Sequence, residues 1–461
     1  MDMDVITRRH ELKTRPVDGG GGLSAPADGR GVRVTSLLRR CGKIVAVVAH
    51  RSATVGWHSA AGRLRHQSVD GAGLFPRQLR LALEDLGPTF VKLGQILSGR
   101  SDITPPLVQQ ELSKLQDHAP SIPEAKLRAE LERSLGSPST GVFATFEMAP
   151  VACASIGQVH RATLHSGLRV AVKVRRPGVL TDIDEDFWVL DKFARLVARL
   201  SSRVRAYDPV AIVNEFAVLL RAETNFTTEA DNLEAVRRTF VVSDAVTVPR
   251  VMTDMSDESV LVMDWIEGIP LSNRERLEAA GADRAGLARG ILQAYAVMIF
   301  QSDLFHADPH PGNIIALKGG RLGLIDFGEV GSVTSAERST LLRMMSAVLG
   351  RDGDALAEAV LSVSRTTRAV DRADFGAQLT ALLHPVADAS LRDVRLGDVL
   401  GPLLHLLRTS GIVLPSDMAI LIKTMIECEA TTGELDPTLS MLNLVGELAS
   451  FAPARTGTDG T

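Results

Sequence analysis

The apolar pattern of this chain changes twice, and these changes constrain its fold more than any single residue does. Across residues 76–135, apolar side chains recur every three or four positions, which predicts helices. Beyond residue 140, "VFATFEMAPVACASIGQVHRATLHSGLRVAVKVRRPG" alternates as strands do, and the turn signal His165-Ser166-Gly167 predicts a β-hairpin. Later residues return mainly to helical spacing. The order predicts an α+β protein: helices, a small strand-rich unit containing one helix, and a large helical unit.

Local signals mark the breaks between elements. Gly87-Pro88 divides the first helical stretch into two helices, and "PPLVQQELSKLQ" predicts a further helix that starts after a proline pair. Residues 208–240 have helical spacing, and residues 259–271 predict a strand followed by a Gly-Pro stop. The polar, glycine-rich residues 1–31 predict a disordered tail, and residues 453–461 a polar one. No signal-peptide h-region and no run of about 18 uncharged apolar residues occurs, so we predict no transmembrane helix.

Charge and cysteine content argue against several function classes. The 461 residues carry a formal net charge of −4, which gives no basic surface for nucleic acid. Cys41, Cys153 and Cys428 are far apart and form no CxxC pair, which argues against a disulfide framework and against a zinc site. We therefore expect a reducing compartment and no nucleic-acid partner.

The stretch "LFHADPHPGNII", residues 304–315, crowds polar residues between apolar ones. Asp308 and Asn313 have the spacing of a kinase catalytic loop, in which the aspartate accepts or orients the substrate hydroxyl proton and the asparagine holds Mg²⁺. A DFG triplet that begins at Asp326 follows at the end of an apolar strand, where its carboxylate can reach a metal bound to nucleotide phosphates. Together these residues predict a nucleotide site.

A candidate phosphate-binding lysine precedes this loop. Lys173 lies in the strand "VAVKV", and a kinase lysine of this kind needs a carboxylate partner and a turn over the phosphates. Glu223 and Glu229 are six residues apart on a helix-like stretch and point in different directions, so at most one can face Lys173. The candidate turn is "ACASIGQVH", in which small residues replace most glycines. Their Cβ atoms restrict positive φ angles, which predicts a stiffer turn that cradles phosphates differently.

A zinc pair is the alternative interpretation of His306 and His310, which lie at i and i+4. That spacing brings two ligands together only on one helical face, and Pro309 and Pro311 oppose a regular helix here. No third ligand pattern lies nearby. We therefore interpret His306 as a packed, hydrogen-bonded loop residue.

These motifs together resemble the UbiB/AarF-type atypical kinase family, the protein-kinase-like group linked to isoprenoid quinone biosynthesis. The resemblance covers about residues 75–435. Its marks are "KLGQ" at 92–95, which matches the family's KxGQ signature, the alanine-rich loop "ACASIGQVH", "VAVKV", "HADPHPGN" and "DFG". The combination of KxGQ with the HADPHPGN loop is the most specific of these. The resemblance implies a two-lobed protein-kinase-like fold with a helical N-terminal extension packed over the active site.

The resemblance also implies roles for individual residues. Lys173 contacts the α- and β-phosphates and is held by Glu229, Asp308 takes the catalytic position, and Asn313 and Asp326 bind Mg²⁺. The family's loop and hinge imply further nucleotide contacts, at Ala154, Ser155, Gly157, Gln158, Met263 and Trp265. Met263 is expected at the back wall of the adenine pocket, beside the strand that joins the lobes.

The family's ExD element aligns with Glu223-Thr224-Asn225, where it acts with Lys92 and Gln95 of the KxGQ motif. The resemblance implies that Glu223, Lys92 and Gln95 contribute to nucleotide binding. Asn225 stands in place of the aspartate, so it keeps an acceptor but loses the charge. The implied organisation is a helical extension with the KxGQ motif at 32–140, a kinase-like N-lobe at 141–270 and a helical C-lobe at 271–452.

The expected function is that of an atypical kinase or ATPase with ATP or ADP and Mg²⁺ as cofactors, supporting isoprenoid quinone or related lipid metabolism. Only about nine residues separate Asp326 from the helical pattern near Ser335, and no APE-like triplet follows. This short segment favours a small-molecule or lipid-linked substrate over a protein. A nucleotide-gated scaffold or chaperone that extracts lipids without phosphoryl transfer is the alternative, and an aminoglycoside-type kinase, which does not explain KxGQ, is a third interpretation.

The expected partners are ATP and a lipid or quinone precursor, with a homodimer or a biosynthetic complex left open. We expect a cytoplasmic location, with peripheral contact to the inner face of the cell membrane through an amphipathic face.

Overall fold

The computed structural model describes residues 34–64, 71–99, 104–115, 120–201, 205, 208–388 and 395–439. Both predicted tails, 1–31 and 453–461, lie outside the described residues. The helices, in chain order, are α1 (Val34–Leu64), α2 (Gly71–Leu86), α3 (Pro88–Gly99), α4 (Pro106–Leu112), α5 (Glu124–Leu135), α6 (Ser139–Val142), α7 (Val179–Leu200), α8 (Pro209–Glu223), α9 (Phe226–Thr239), α10 (Arg274–Ala279), α11 (Arg284–Gln301), α12 (Ser335–Gly350), α13 (Gly353–Val363), α14 (Arg372–Asp388), α15 (Leu396–Ser410) and α16 (Ser416–Leu435).

The strands form two main sheets in the described part of the chain. They are β1 (Phe143–Phe146), β2 (Ala152–Cys153), β3 (Gly157–Leu164), β4 (Arg169–Arg175), β5 (Val246–Thr247), β6 (Val260–Asp264), β7 (Ile269–Pro270), β8 (Leu304–His306), β9 (Ile314–Ala316), β10 (Leu322–Leu324), β11 (Val330–Ser332), β12 (Arg365–Thr366) and β13 (Ile412–Val413). The first sheet is antiparallel, in the order β1-β3-β4-β6, with β2 also paired to β3. The second has the order β5-β10-β9-β7, and its β5 and β10 are parallel. β8 pairs with β11, and β12 with β13.

Strands β3 and β4 confirm the predicted hairpin. Gly167 has φ 85° in the turn, a conformation that glycine adopts without the penalty of a Cβ atom. Val159 pairs with Lys173. Because side chains alternate across a strand, Val172 points to one face of the sheet while Ala171 and Lys173 point to the other.

The two faces of this sheet belong to different cores. Val172 and Val262 are fully buried in a core that also contains Leu127 and Leu131 of α5. Ala171 instead belongs to the large core that continues through the helical lobe. The face that carries Lys173 therefore looks toward the helical lobe.

Helix α11 forms the centre of the helical lobe. Its residues Ile291, Tyr295 and Ile299 have at most 1% of their surface exposed. A helix that is apolar on most sides is stable only when neighbours cover it, and here α16 and β8 pack against it. The chain enters β8 three residues after α11 ends, so this buried helix fixes where the loop after β8 begins.

Helices α1 to α4 form the N-terminal extension. Leu83, Phe90 and Leu112 share a small core of their own, and Gly87, with φ 104°, separates α2 from α3 as predicted. Helix α1 is fastened to α7 because Arg40 donates hydrogen bonds to both carboxylate oxygens of the fully buried Asp186. The extension is thus anchored to the helix that follows β4.

Two helix predictions were incomplete. Among the described residues, α7, α8 and α9 all lie between β4 and β5, where the pattern predicted a single helix. Helix α7 was missed because polar Glu185, Asp186 and Asp191 lie on its buried side and interrupt the apolar period. Helix α4 begins at Pro106, since proline lacks only an N–H that the first turn leaves unbonded, and it ends at Leu112, short of the predicted end.

Candidate functional site

The segment between β8 and β9 holds Asp308 and Asn313 in one hydrogen-bonded loop. Asn313 Nδ2 donates to Asp308 Oδ2 at 2.7 Å, and the Asn313 N–H donates to the His310 carbonyl at 2.9 Å. The N–H of Ile325, which precedes the DFG triplet, donates to the Asn313 carbonyl at 2.9 Å. The predicted spacing thus corresponds to a side-chain contact, and the loop is tied to the DFG segment.

His306 is fully buried and is hydrogen-bonded to the backbone of both this loop and the DFG segment. Its Nδ1 accepts the Asp308 N–H at 3.1 Å, so Nε2 must carry the proton that is donated to the Ile325 carbonyl at 3.1 Å. Its ring also packs edge-on against Phe327, with 4.8 Å between ring centroids. His310 is exposed, and its Nδ1 accepts a backbone N–H two residues further on. Each imidazole thus has its own backbone partner. The predicted packing and hydrogen bonding of His306 are confirmed, but the residue ends strand β8 and does not lie in a loop.

Asp326 adopts a backbone conformation that is uncommon for a residue with a side chain. Its φ is 58°, in the left-handed region, and its Oδ1 accepts the Gly328 N–H at 3.2 Å. The positive charge of Lys173 lowers the pKa of Asp326, although burial opposes this. The carboxylate is therefore ionised at neutral pH. Backbone strain of this kind is found at functional sites, where the surrounding structure enforces it.

Lys173 and Glu229 form a buried ion pair between β4 and α9. Lys173 Nζ lies 2.8 Å from both Glu229 carboxylate oxygens and 3.4 Å from Asp326 Oδ1. The Glu229 side chain is 4% exposed, and burial raises its pKa although Lys173 opposes the shift. Burial also disfavours the charged form of Lys173, but the charges of Asp326 and Glu229 outweigh it and raise the pKa of Lys173. Glu229 thus holds the Lys173 ammonium group beside the DFG aspartate.

Lys92 of the KxGQ motif connects the extension to both lobes. Its Nζ lies 3.0 Å from Glu223 Oε1 on α8 and 3.5 Å from Glu329 Oε1, just after the DFG triplet. Burial raises the pKa of Glu223 to about 7, with the charge of Lys92 opposing the shift. Of the two carboxylates that the sequence offered to Lys173, Glu229 contacts it and Glu223 contacts Lys92 instead.

The remaining KxGQ residues have packing roles within the extension. A Cβ atom at Gly94 would lie 2.3 Å from a Leu115 methyl group and 2.8 Å from one of Leu83, so a larger residue there would require these leucine side chains to shift. Gln95 Nε2 donates to the Leu115 carbonyl at 3.3 Å. The Gln95 amide thus has a hydrogen-bond partner within the extension, and its nucleotide contact stays a prediction.

Asn225, which stands where the family has aspartate, caps α9. Its Oδ1 accepts the Thr227 N–H at 3.1 Å and the Thr227 hydroxyl at 2.7 Å. A side-chain oxygen at this position satisfies a helix N–H that would otherwise lack a partner. Asn225 thus fixes the start of the helix that carries Glu229, a task that needs an acceptor and no charge.

The alanine-rich loop is pinned from two sides. The Ala154 N–H donates to the Gly157 carbonyl at 2.8 Å, and Arg176 Nε donates to the Ala154 carbonyl at 2.8 Å. Ser155 is buried, at 3% exposure. A Cβ atom at Gly157 would lie 2.8 Å from the Val174 carbonyl oxygen, so the glycine is needed for the close approach of β3 and β4. The loop is held in one conformation.

The Gln158 side chain faces away from the cleft, so the predicted nucleotide contact of this residue stays a prediction for its backbone alone. Its Oε1 accepts the Ile122 N–H at 2.8 Å, its Nε2 lies 2.6 Å from the ring of His160, and only 1% of the residue is exposed. The physical reason is the alternation of side chains along β3. Val159 pairs with Lys173 and shares its face, so Gln158 points to the opposite face of the sheet.

The strand that leads to the hinge places Met263 on the cleft side. Met263 pairs with Ala171, two residues before Lys173, and is 6% exposed. Trp265 donates its backbone N–H to the Arg169 carbonyl at 3.1 Å, and the Arg161 guanidinium lies 4.3 Å from the centre of its ring. Among the described residues, its buried indole Nε1 has no hydrogen-bond partner.

Comparison with known protein families agrees with this geometry. The sequence model of the ABC1 atypical kinase-like domain matches residues 114–360, which is more than half of the chain. The chain belongs to the ABC1 atypical kinase-like family. The UbiB helical domain matches residues 379–440, which begin within α14 and include α15 and α16. The family match confirms the resemblance to the UbiB/AarF-type group.

Among solved structures, one that the ABC1 chain resembles is the Mycobacterium tuberculosis protein Rv3197 in complex with erythromycin. The two are 24% identical, with a TM-score of 0.53, and the match covers 84% of this chain and 94% of the other. At this identity the likeness concerns the fold alone. With the family match, it confirms the predicted α+β, two-lobed kinase-like fold with a helical N-terminal extension.

The structure adds residues of α16 that sequence reasoning missed in this ABC1 family chain. Thr424 and Thr431 donate hydrogen bonds to the carbonyls on either side of Asp308, and Lys423 lies 3.8 Å from Glu329. They lie more than 110 residues after Asp308 and form no motif with it. The one signal in the sequence is the i, i+4 pair of Lys423 and Glu427, which is also common on solvated helix surfaces.

Proposed function

We propose that this protein is an Mg²⁺-dependent atypical kinase or ATPase that acts on a small-molecule or lipid-linked substrate of isoprenoid quinone or related lipid metabolism. One arrangement carries the proposal. Lys173 lies 2.8 Å from Glu229 and 3.4 Å from Asp326, while Asp308 is bonded to Asn313 on the adjoining loop. These are the charged groups that phosphoryl transfer requires: a phosphate-binding cation, metal-binding oxygens and a proton acceptor.

The donor set fits Mg²⁺. Asn313 donates through Nδ2 to Asp308, so Oδ1 is the amide oxygen that a cation would contact. Asp326 supplies an ionised carboxylate whose pKa is lowered by Lys173. Hard oxygen ligands of this kind, few in number, suit an ion that keeps several waters and takes its remaining ligands from phosphates. When bound, Mg²⁺ neutralises the negative charge on the phosphate oxygens.

The cleft also offers donors to a nucleotide. Lys173 would bind the α- and β-phosphates, with Glu229 holding its ammonium group in place. The buried indole Nε1 of Trp265, which lacks a partner among the described residues, is a donor beside the strand expected to read the adenine. Met263 would form the apolar wall behind the base. Ala154 and Gly157 would approach the phosphates through the pinned backbone of their loop.

Asp308 would orient the acceptor hydroxyl or water and accept its proton. Two contacts fix its position: Asn313 donates to its carboxylate, and its backbone N–H is bonded to His306. Because its carboxylate already accepts a hydrogen bond on one oxygen, the other oxygen is the natural proton acceptor. This arrangement serves transfer to a hydroxyl and hydrolysis by water equally.

The substrate class is proposed from the region after the DFG triplet. Short strand β11 begins two residues after it, and helix α12 follows at Ser335, so the segment offers little from which to build a peptide-docking platform. Lys92 of the extension also contacts Glu329 in this segment. Both features favour a small substrate reaching Asp308. The link to quinone or isoprenoid lipid rests on the family resemblance.

Ligand-dependent stabilisation tests the proposal. A ligand that binds the folded state alone stabilises it by about 2.7 kcal/mol at a hundredfold excess over Kd. We expect ATP and ADP to raise the melting temperature, more so with Mg²⁺. We expect Asp326→Asn to lose the Mg²⁺-dependent part of the increase in melting temperature. We expect Asp308→Asn to bind nucleotide without releasing phosphate. Equal melting temperatures with and without Mg²⁺-ATP would refute nucleotide binding.

A second candidate is a nucleotide-gated scaffold that extracts lipid without transferring phosphate. The Lys92 bridge across Glu223 and Glu329 favours it, since contacts that link the extension to both lobes suit a switch that responds to bound nucleotide. The pinned alanine-rich loop favours it because a stiff loop cradles phosphates differently from a glycine-rich one. A stable ADP complex, hydrolysis accelerated by lipid and no phosphorylated product would support this function. A phosphorylated small molecule would exclude it.

Peripheral membrane contact is proposed from one exposed face of α7. Phe193, Leu196 and Leu200 are 61%, 52% and 77% exposed at helical spacing, and Lys192 and Arg199 flank this stripe. Basic residues beside an apolar stripe suit anionic lipid at a membrane surface. Among the described helices, none has the length and apolar content to cross a bilayer. Flotation with anionic vesicles tests the contact, and Phe193→Glu with unchanged flotation would contradict it.

The domain boundaries at 32–140, 141–270 and 271–452 remain part of this proposal. The first lobe boundary falls within the short helix α6, just before β1, and the second follows the end of β7 at Pro270. Limited proteolysis with and without Mg²⁺-ATP would locate the linkers that nucleotide protects.

A further inference from the structure

Helix α16 holds the catalytic loop at two points that flank Asp308. Thr424 Oγ1 donates to the Ala307 carbonyl at 3.2 Å, and Thr431 Oγ1 donates to the Pro309 carbonyl at 3.0 Å. Both bonds are buried. Asp308 therefore lies against the stretch of α16 between these two threonines.

Helical geometry places Glu427 in that stretch. Residues three, four and seven positions apart share one face of a helix, so Glu427 and Cys428 lie between Thr424 and Thr431 on the face that contacts the loop. Cys428 is completely buried, whereas Glu427 is partly exposed beside the cleft. Lys423, one turn earlier, has its Nζ 3.7 Å from Glu427 Oε1.

The titratable groups around Glu427 come from four elements. Lys423 lies on its own helix, Asp308 on the catalytic loop, Glu329 after the DFG triplet, and the fully buried Tyr295 on α11. Burial raises the pKa of Glu427 to about 7, Lys423 opposes the shift, and the negative charges of Asp308 and Glu329 add to it. Glu427 is thus electrostatically coupled to the proposed catalytic aspartate.

We propose that Glu427 is a positioning residue for Asp308 and that, with Lys423, it controls the charge that surrounds this aspartate during proton transfer. The inference rests on the proposed function. When Glu427 carries a proton, the Lys423 ammonium pairs with Glu329, and its positive charge, uncompensated by Glu427, stabilises the nearby Asp308 carboxylate. When Glu427 loses that proton, it pairs with Lys423 and repels the Asp308 carboxylate. Asp308 then accepts a proton from the hydroxyl or water more readily.

The first test compares kcat and KM of the full chain from pH 5.5 to 8.5. For the wild-type protein, we expect kcat to rise through the neutral range. For Glu427→Gln we expect no rise and a kcat at pH 8 about tenfold lower, well short of the loss of 10² or more expected when a general base itself is removed. KM for ATP should not change, because Lys173 and Asp326 are intact. Glu427→Asp, which can still ionise, should restore the rise.

Glu434 provides the matched control on the same helix. It is exposed and pairs with Arg274 at 2.6 Å rather than with Lys423, so Glu434→Gln should have the wild-type pH profile. A merely structural role for Glu427 would lower activity equally at every pH or reduce the folded fraction. A wild-type pH profile for Glu427→Gln would overturn the proposal.

A second measurement does not depend on activity. A double-mutant cycle combines Glu427→Gln with Asp308→Asn and measures melting temperatures at pH 5.5 and 8. Because the pKa of Glu427 is raised in the folded state, its ionisation costs stability as pH rises, and Glu427→Gln should gain melting temperature relative to wild type at pH 8. This gain in melting temperature should be smaller in the Asp308→Asn background, because the repulsion between Glu427 and Asp308 is already absent there. Equal gains in both backgrounds would overturn the inference. If nucleotide neither binds nor is hydrolysed, the proposed function fails. The double-mutant cycle still tests whether Glu427 and Asp308 interact, because it measures stability and not activity.

Discussion

Replacement of Lys173 by methionine should destabilise the protein in a manner that depends on pH. The change removes the cation that Glu229 and Asp326 share. Removing one partner of a buried ion pair costs about 3 to 5 kcal/mol, because the other charge is left without compensation. The Asp326 side chain is half exposed, so solvent screens it, and most of the cost arises at Glu229, which is 4% exposed.

Glu229 can avoid this cost by taking up a proton. Its pKa is already raised by burial, and loss of Lys173 raises it further. An acid whose pKa is higher in the folded than in the unfolded state does not reduce the free energy of unfolding at pH values below its unfolded-state pKa. As the pH rises from the unfolded-state pKa to the folded-state pKa, this acid progressively lowers the free energy of unfolding. The deficit of Lys173→Met should therefore be small at pH 5 and approach its full value only at pH 8.

Urea denaturation of the full chain at pH 5 and pH 8 measures this difference. Lys192→Met is the control, because Lys192 is 57% exposed and its partner Asp191 keeps a second bond to Arg195. An exposed pair of this kind contributes at most about 1 kcal/mol. The reasoning would be refuted by a Lys173→Met deficit that is equal at both pH values, or by one no larger than that of the control.

Three further substitutions test the extension. Gly94→Ala should cost about 1 kcal/mol in urea denaturation, since overpacking of about 1 to 3 kcal/mol against two leucine methyl groups exceeds the gain of up to about 1 kcal/mol in helix propensity. Arg40→Met should leave the buried Asp186 carboxylate uncompensated, cost about 3 kcal/mol and expose α1 to limited proteolysis; protection equal to wild type would contradict this. Lys92→Met should remove the contact with Glu329 and speed release of a fluorescent ADP analogue. An unchanged release rate would argue that the N-terminal extension does not restrict release of nucleotide from the cleft.

The catalytic loop was predictable from sequence because its chemistry is local. Asn313 lies five positions after Asp308, and the turn between them brings the two side chains into contact. Lys173 was recognisable from its strand, but its partner was not, since spacing alone showed only that Glu223 and Glu229 point apart. The family resemblance selected Glu229, and the structure has that contact.

The orientation of the Gln158 side chain could have been predicted from the sequence. A hairpin centred on Ser166 pairs residues equally distant from it, so Val159 lies opposite Lys173 and Gln158 must point to the other face. The role of α16 could not have been predicted in this way. Thr424 and Thr431 reach the catalytic loop only through the packing of the helical lobe, and no spacing rule connects residues that far apart.

Lys92 of the extension forms one ion pair with each lobe, and the two pairs differ in burial. This difference indicates with which lobe the extension would move if the cleft opened. Lys92 and Glu223 are 18% and 14% exposed at 3.0 Å, whereas Glu329 is 37% exposed and lies 3.5 Å from Lys92. Solvent and salt weaken the second contact more than the first. Arg40 adds a further link to the buried Asp186 on α7. The extension should therefore stay with the lobe that carries Lys173, and opening should separate Lys92 from Glu329 and uncover the DFG aspartate.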